Sequence, residues 1–178
     1  THPLDNPDYG KIINKKHFDR ICALIDNNKV VSGGHTNSET LRIEPTVMDP
    51  VTYDDPVMQE EIFGPVMPIL TYDSLDKLIH KINSMPHPLA LYFFTRNKTA
   101  ARKVTSQCQF GGGCINDTVI HLATSEMPFG GFGESGMGGY HGKEGFYTFS
   151  HSKSIVDKKT WLDLPMRYQP YTKFNNKL

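Results

Sequence analysis

Neither sign of charge prevails in this sequence: 19 Lys and Arg offset 19 Asp and Glu, leaving a formal net charge of +0. No global field draws such a chain to nucleic acid or to an anionic membrane, and neither partner is expected. Cysteine is scarce. Cys22, Cys108 and Cys114 make an odd count with no compact framework, and no basic-apolar leader precedes them, which points to reduced thiols and a cytoplasmic setting. No apolar run approaches the ~20 residues that span a bilayer. The tail from Trp161 to Leu178, interrupted by Pro165 and Pro170, carries no apolar anchor, so no membrane tether is expected either. The eight histidines include no H-E-x-x-H, and no two cysteines stand in C-x-x-C spacing, so no metal site is expected. Internal repeats and low-complexity tracts are missing as well. The chain opens on Thr1 rather than Met, as a processed product or a piece of a longer polypeptide does.

What is present is the composition of a soluble globular protein, 178 residues with 38% hydrophobic and 21% charged, enough to bury a sizeable core. Residues 1–10 read as a lead-in. Phe18, Ile21, Cys22 and Ile25 then fall at helical spacing behind Asn14 as a cap, with Cys22 facing the core. Val30 to Ser32 and Leu41 to Ile43 read as short extended pieces, and Met48 to Pro56 as loop. Val66 to Tyr72 reads as a strand, followed by a helix capped by Ser74 that carries Leu75, Leu78, Ile79 and Ile82 on one face. Leu89 to Phe94 is a near-continuous apolar run, the pattern of a strand covered on both faces. Asn97 caps a helix to about Gln107, and Gly111 to Asn116 is a strand entered through glycines. This alternation predicts an α/β fold with a largely parallel sheet flanked by helices.

Two stretches stand out. Gln59-Glu60-Glu61-Ile62-Phe63-Gly64-Pro65-Val66 puts two acids and a ring before a glycine and a proline, poor material for a helix and suited to a shaped loop that feeds a strand. Met127-Pro128-Phe129-Gly130-Gly131 opens a segment, Pro128 to Gly145, with eight of the 15 glycines. Gly131 to Gly136 fits G-x-G-x-x-G, but Pro128 precedes it and Met137-Gly138-Gly139 follows, so the strand and helix of a phosphate-binding turn are not in place. A structural glycine loop is expected. Gly133-Glu134-Ser135 begins like a nucleophile elbow, but Met137 stands where the second glycine belongs, and a serine hydrolase is not supported.

Five fragments occur in an order that resembles the aldehyde dehydrogenases. They are Glu60 to Val66, Leu89-Ala90-Leu91-Tyr92, Gly112 to Asp117, Pro128 to Gly131 with Ser135 to Gly138, and Tyr140 to Lys143 with Phe149-Ser150-His151. The last of these, and Arg167-Tyr168-Gln169-Pro170-Tyr171, look most like the class three branch. The resemblance covers essentially the whole chain but only the C-terminal part of the family's polypeptide. It implies that Glu61 binds the nicotinamide-side ribose of NAD or NADP, since two carboxylate oxygens can accept from vicinal hydroxyls as a fork. It places Phe63 beside that ribose, and Asn116 and Phe129 by the aldehyde pocket, with Glu61, Phe63 and Phe129 expected to converge on one cleft. A solvated loop acid, core rings and a sheet-end asparagine are the structural alternatives at these positions.

The family's thiol nucleophile, its glutamate base and its N-terminal cofactor domain find no match here, so no catalytic residue is assigned. Covalent aldehyde oxidation needs all three. The resemblance therefore implies the C-terminal segment of an NAD(P)-dependent aldehyde dehydrogenase, inactive alone: residues 1–145 belong to the catalytic domain, and 146–178 form an oligomerisation strand and tail. Phe146 to Val156 is rich in aromatic and β-branched residues, as an extended segment is, and a homodimer is expected. A noncatalytic assembly or scaffold module is the alternative.

Overall fold

Asn14 starts the first helix: its backbone is extended and its side-chain oxygen accepts from the His17 amide at 3.0 Å, satisfying one of the donors that a helix start leaves free. Helix α1, Lys15–Leu24, buries Phe18, Ile21 and Leu24, with Cys22 and Ile25 packed more loosely beside them. The computed structural model describes residues 2–164 and 167–169. Within the chain, two units are distinguished, Thr1–Lys81 and Ile82–Leu178.

In the first unit, strands β1 (Val30–Ser32), β2 (Thr36–Asn37), β3 (Arg42–Ile43), β4 (Thr46–Met48) and β5 (Val66–Pro68) form two small sheets. One has the order β1-β4-β5, with β4 antiparallel to β1 and parallel to β5; the other is the antiparallel ribbon β2-β3. Ile43, Met48, Val51, Val57 and Val66 close on the buried face of α1. Burying each such side chain contributes about 1.5–3 kcal/mol. Thr46, the one buried polar residue among those described, is satisfied on all sides. Its hydroxyl donates to the Glu44 carbonyl at 2.7 Å and accepts from the Gly34 amide at 3.0 Å, while its own amide donates to the Pro65 carbonyl at 2.8 Å. That last bond anchors the end of the acidic loop to the central strand. Helix α2, Leu75–Asn83, buries Ile79, and the boundary between the units falls within it.

The second unit is built on strand β6 (Ala90–Phe93), helix α3 (Lys98–Gln107) and strand β7 (Gly112–Ile115), with β6 and β7 parallel. Two parallel strands need a crossover of this kind between them. The Asn97 side chain caps α3 by accepting from the Thr99 and Ala100 amides at 2.9 and 3.1 Å. A glycine-rich loop then leads to helix α4, Gly142–Thr148.

The elements expected from helical periodicity are present, and the sheet is where the expectation fails in part. Parallel pairing covers β4-β5 and β6-β7, but β1-β4 and β2-β3 are antiparallel, so the sheets are mixed rather than largely parallel. The four-residue turn between β2 and β3 permits only antiparallel pairing. Of strand β4 only Met48 carried an expectation, as the start of a loop; three residues after Pro45 are too few to display a period. All four residues of β6 are half-buried rather than covered on both faces. Of the expected assembly strand, residues 146–148 close α4, and 149–159 form neither helix nor strand. An extended segment is paired only where another strand supplies the ladder. Pro165, Pro170 and Tyr171 of the tail lie outside the described residues.

Candidate functional site

Residues 60–63 leave a short turn, Pro56–Met58, and enter β5, so both ends of this loop are fixed. Its middle alternates in and out. Ile62 packs against the core, while Glu61 and Phe63 face out, Phe63 with 82% of its surface exposed. Phe63 holds φ at +48°, the left-handed region that a bulky residue enters only when its surroundings hold it there. The surroundings here belong to α1. A Cβ on Gly64 would stand 2.7 Å from Cδ1 of the fully buried Ile21, so the loop approaches the helix where only glycine fits. One residue earlier on the helix, Arg20 donates from Nη2 to the Ile62 carbonyl at 2.7 Å and from Nη1 to the Glu61 carbonyl at 3.2 Å. The same Nη1 lies 3.0 Å from Oε1 of Glu60. Glu61's carboxylate takes no hydrogen bond from the described residues. It opens on a hollow of about 610 Å³ that is shared with Lys11, Ile12, Ile13, His17, Arg20, Glu60 and Phe63.

Asn116 follows β7 with φ at +59°. Its side-chain amide is engaged at both ends: Oδ1 accepts from the Thr95 amide at 2.7 Å and Nδ2 donates one hydrogen to the Thr95 carbonyl at 2.9 Å. The side chain thereby extends the β6-β7 ladder by one rung, and what it fixes is the backbone at the end of the strand pair. Val119, three residues on, has φ at +63°, an uncommon state for a β-branched residue.

Phe129 exchanges two backbone hydrogen bonds with Tyr140, at 2.9 and 3.0 Å. Its ring lies 5.7 Å from Tyr140, 5.9 Å from His121 and 5.9 Å from His141. Nδ1 of His141 and Nε2 of His121 are buried without a hydrogen-bond partner among the described residues, and such atoms are available to an incoming polar group. A hollow of about 580 Å³ is lined by Phe129, Tyr140, Leu89, Phe149 and the glycine loop. In that loop the Ser135 hydroxyl accepts from the Phe132 amide at 3.1 Å and donates to the Phe132 carbonyl at 3.0 Å. A three-residue turn, Gly133–Ser135, follows it in place of a helix N-terminus. The Ser135 hydroxyl is thus committed to the backbone of its own loop. Cys114 lies 3.6 Å from Nδ1 of His121 beside a second hollow of about 550 Å³.

Sequence reasoning singled out Glu61, Phe63, Asn116 and Phe129. Arg20, Lys11 and His17 went unread because nothing local links α1 to a loop some 40 residues away. His121 carried no signal, and Tyr140 and His141 entered only as part of a resembling fragment. No group of three or more His, Cys, Asp or Glu among the described residues could hold a metal ion, and no described helix is long and apolar enough to cross a membrane.

A family model described as "Aldehyde dehydrogenase family" matches residues 1–155. The 4,4'-diaponeurosporen-aldehyde dehydrogenase of Staphylococcus aureus is 49% identical over 168 residues, 93% of this chain and 37% of that protein. The "Aldehyde dehydrogenase, dimeric NADP-preferring" of Rattus norvegicus is 48% identical over 151 residues, 85% of this chain and 33% of that protein. Among solved structures, the substrate-bound state of Staphylococcus aureus AldH superposes with a TM-score of 0.86 at 49% identity, covering 94% of this chain and 37% of that one. The chain spans about a third of the length of the curated relatives it matches.

Proposed function

The chain belongs to the aldehyde dehydrogenase family and is most like its class three branch, and from that premise we propose that it supplies the nicotinamide-ribose anchor and part of the aldehyde pocket of an NAD(P)-dependent aldehyde dehydrogenase. The observation that carries this reading is the loop at 60–63: a carboxylate with both oxygens uncommitted, held over a hollow by a backbone fixed at both ends. An acid so placed fits two vicinal hydroxyls, which need two acceptors at a fixed separation. Phe63, turned outward by its left-handed backbone, fits an aromatic or sugar face beside them. A bound nicotinamide dinucleotide supplies the acceptor for the aldehyde's hydride. This chain's residues bind and orient.

Phe129, with the rings of His121 and His141 packed against it, is the proposed pocket wall, and Asn116 shapes its approach through the strand end it fixes. The proposal includes Glu61 and Phe63 acting together on the cofactor. It also includes a homodimer in a cytoplasmic setting, a catalytic-domain role for residues 1–145, and an oligomerisation role for 146–178. The thiol nucleophile and the base that activates water belong, in this reading, to the remaining two-thirds of a relative-length polypeptide. In support, Val104 and Cys108 are the only buried hydrophobics of the second unit among the described residues, while Phe146, Phe149, Ile155, Val156 and Trp161 stand open.

The test is Glu61→Gln in a polypeptide of the relatives' full length that contains this segment. A raised cofactor requirement or slowed hydride transfer is expected, because a neutral amide accepts at one atom rather than two. Unchanged kinetics would favour a noncatalytic assembly module, a reading to which the same open apolar residues lend some support.

A further inference from the structure

We propose that Arg20 is the positioning residue of this site, holding the 60–63 backbone so that Glu61, and not its neighbour Glu60, is offered to the cofactor. The inference rests on the reading of Glu61 as the ribose acceptor and adds the residue that selects it. Two adjacent acids of the same type stand in this loop, and a single guanidinium distinguishes them. Nη1 pairs with Glu60 Oε1 at 3.0 Å, while both Glu61 oxygens stay uncommitted. The Glu60 pair is about half open to solvent on its acid side, and such a contact by itself adds little. The two carbonyl bonds do more.

They hold consecutive peptide groups, those of Glu61 and Ile62, immediately before the left-handed Phe63. A backbone in that region relaxes unless it is restrained. The restraint comes from adjacent residues of α1, with Ile21 packed against Gly64 and Arg20 bonded to the carbonyls. Only a planar fork with several donors reaches two carbonyls and a carboxylate at once; the single ammonium head of a lysine does not. A carboxylate that must meet two hydroxyls is sensitive to displacements of about 1 Å.

The experiment compares Arg20→Met, Arg20→Lys and Glu61→Gln in a polypeptide of the relatives' full length that contains this segment. Binding of the reduced nicotinamide cofactor is measured by calorimetry, amide hydrogen exchange across residues 60–66 by mass spectrometry, and KM for cofactor and for aldehyde separately. Arg20→Met is expected to raise the cofactor Kd and KM about tenfold and to speed exchange across the loop, with the aldehyde KM little changed. Arg20→Lys recovers only part of the loss. A merely structural role would instead lower the melting temperature and the active fraction without a selective cofactor effect, and would overturn the proposal. If Arg20→Met does not fold, Arg20→Lys carries the test; an unchanged Kd with unchanged loop exchange in whichever variant folds also overturns it. If Glu61→Gln leaves the cofactor Kd unchanged, the reading of Glu61 itself fails. If Glu61→Gln weakens binding and the Arg20 variants do not, only the inference about Arg20 fails.

Discussion

Asp55 precedes the turn that launches the acidic loop, and its carboxylate is gripped from two sides. Lys29 Nζ lies 2.7 Å from both oxygens, and the Thr52 amide donates to Oδ2 at 2.6 Å. The Lys29 hydrogen bonds come first, and the Thr52 amide second, in holding this carboxyl below its ordinary pKa. A depressed folded value contributes stability that is fully present above the unfolded pKa and is lost as pH falls through the folded one. Asp55→Asn is therefore expected to lower the thermal midpoint at neutral pH, with the gap from the parent closing in acid below the ordinary carboxylate range. Melting curves across pH check this, and a gap that persisted in strong acid would contradict it. Burial pushes the Cys22 and Cys108 thiols up, with Asp19 adding to the effect at Cys22. Less thiolate at neutral pH means slow alkylation. Mass-spectrometric labelling is expected to find both residues slower than free cysteine, with rates still rising above the usual thiol range.

Helix α1 is the element on which the first unit and its site both depend, since its buried face forms the core and Arg20 reaches the loop. Asn14→Ala removes the acceptor of the His17 amide and is expected to cost about 1 kcal/mol. Ile21→Ala empties a position with no exposed surface against which Gly64 packs, and about 2–5 kcal/mol is expected. Chemical denaturation measures both, and a larger loss from the cap than from the core would contradict the account. Helices α1, α2 and α3 were legible in the sequence because Asn14 and Asn97 are caps of a recognisable kind and the apolar spacing behind Asn14 and Ser74 is helical; α4 was not, its glycines reading as loop and its aromatic end as extended chain. Strands β2 and β4, of two and three residues, were not legible: a period of two needs more residues than these to show itself. Pairing direction was read from alternation with helices, which fits β6-α3-β7 and misses the hairpin-like ribbon. The loop at 60–63 was visible as Gly-Pro punctuation, but the role of Glu61 came only from the resembling fragments. Arg20 sits on the polar face of its helix, where local patterning predicts solvent and tertiary structure supplies carbonyls.

On the scale of the whole molecule, Phe146, Phe149, Ile155, Val156 and Trp161 form a run of exposed apolar residues along the described end of the chain. Surfaces of this kind mark contact with further polypeptide. Light scattering on a relative-length polypeptide containing this segment is expected to give a dimer at micromolar concentration, and a stable monomer would contradict the assembly role of residues 146–178. The 178 residues alone are expected to show no aldehyde oxidation above background with NAD or NADP. The central claim is that Glu61 holds the cofactor's ribose, and the most direct measurement is a crystal structure of the relative-length protein with nicotinamide cofactor bound. The account predicts both Glu61 oxygens within hydrogen-bond distance of the two hydroxyls of the nicotinamide-side ribose, with Phe63 beside it. A bound cofactor whose ribose is held elsewhere, with Glu61 facing solvent, would contradict it.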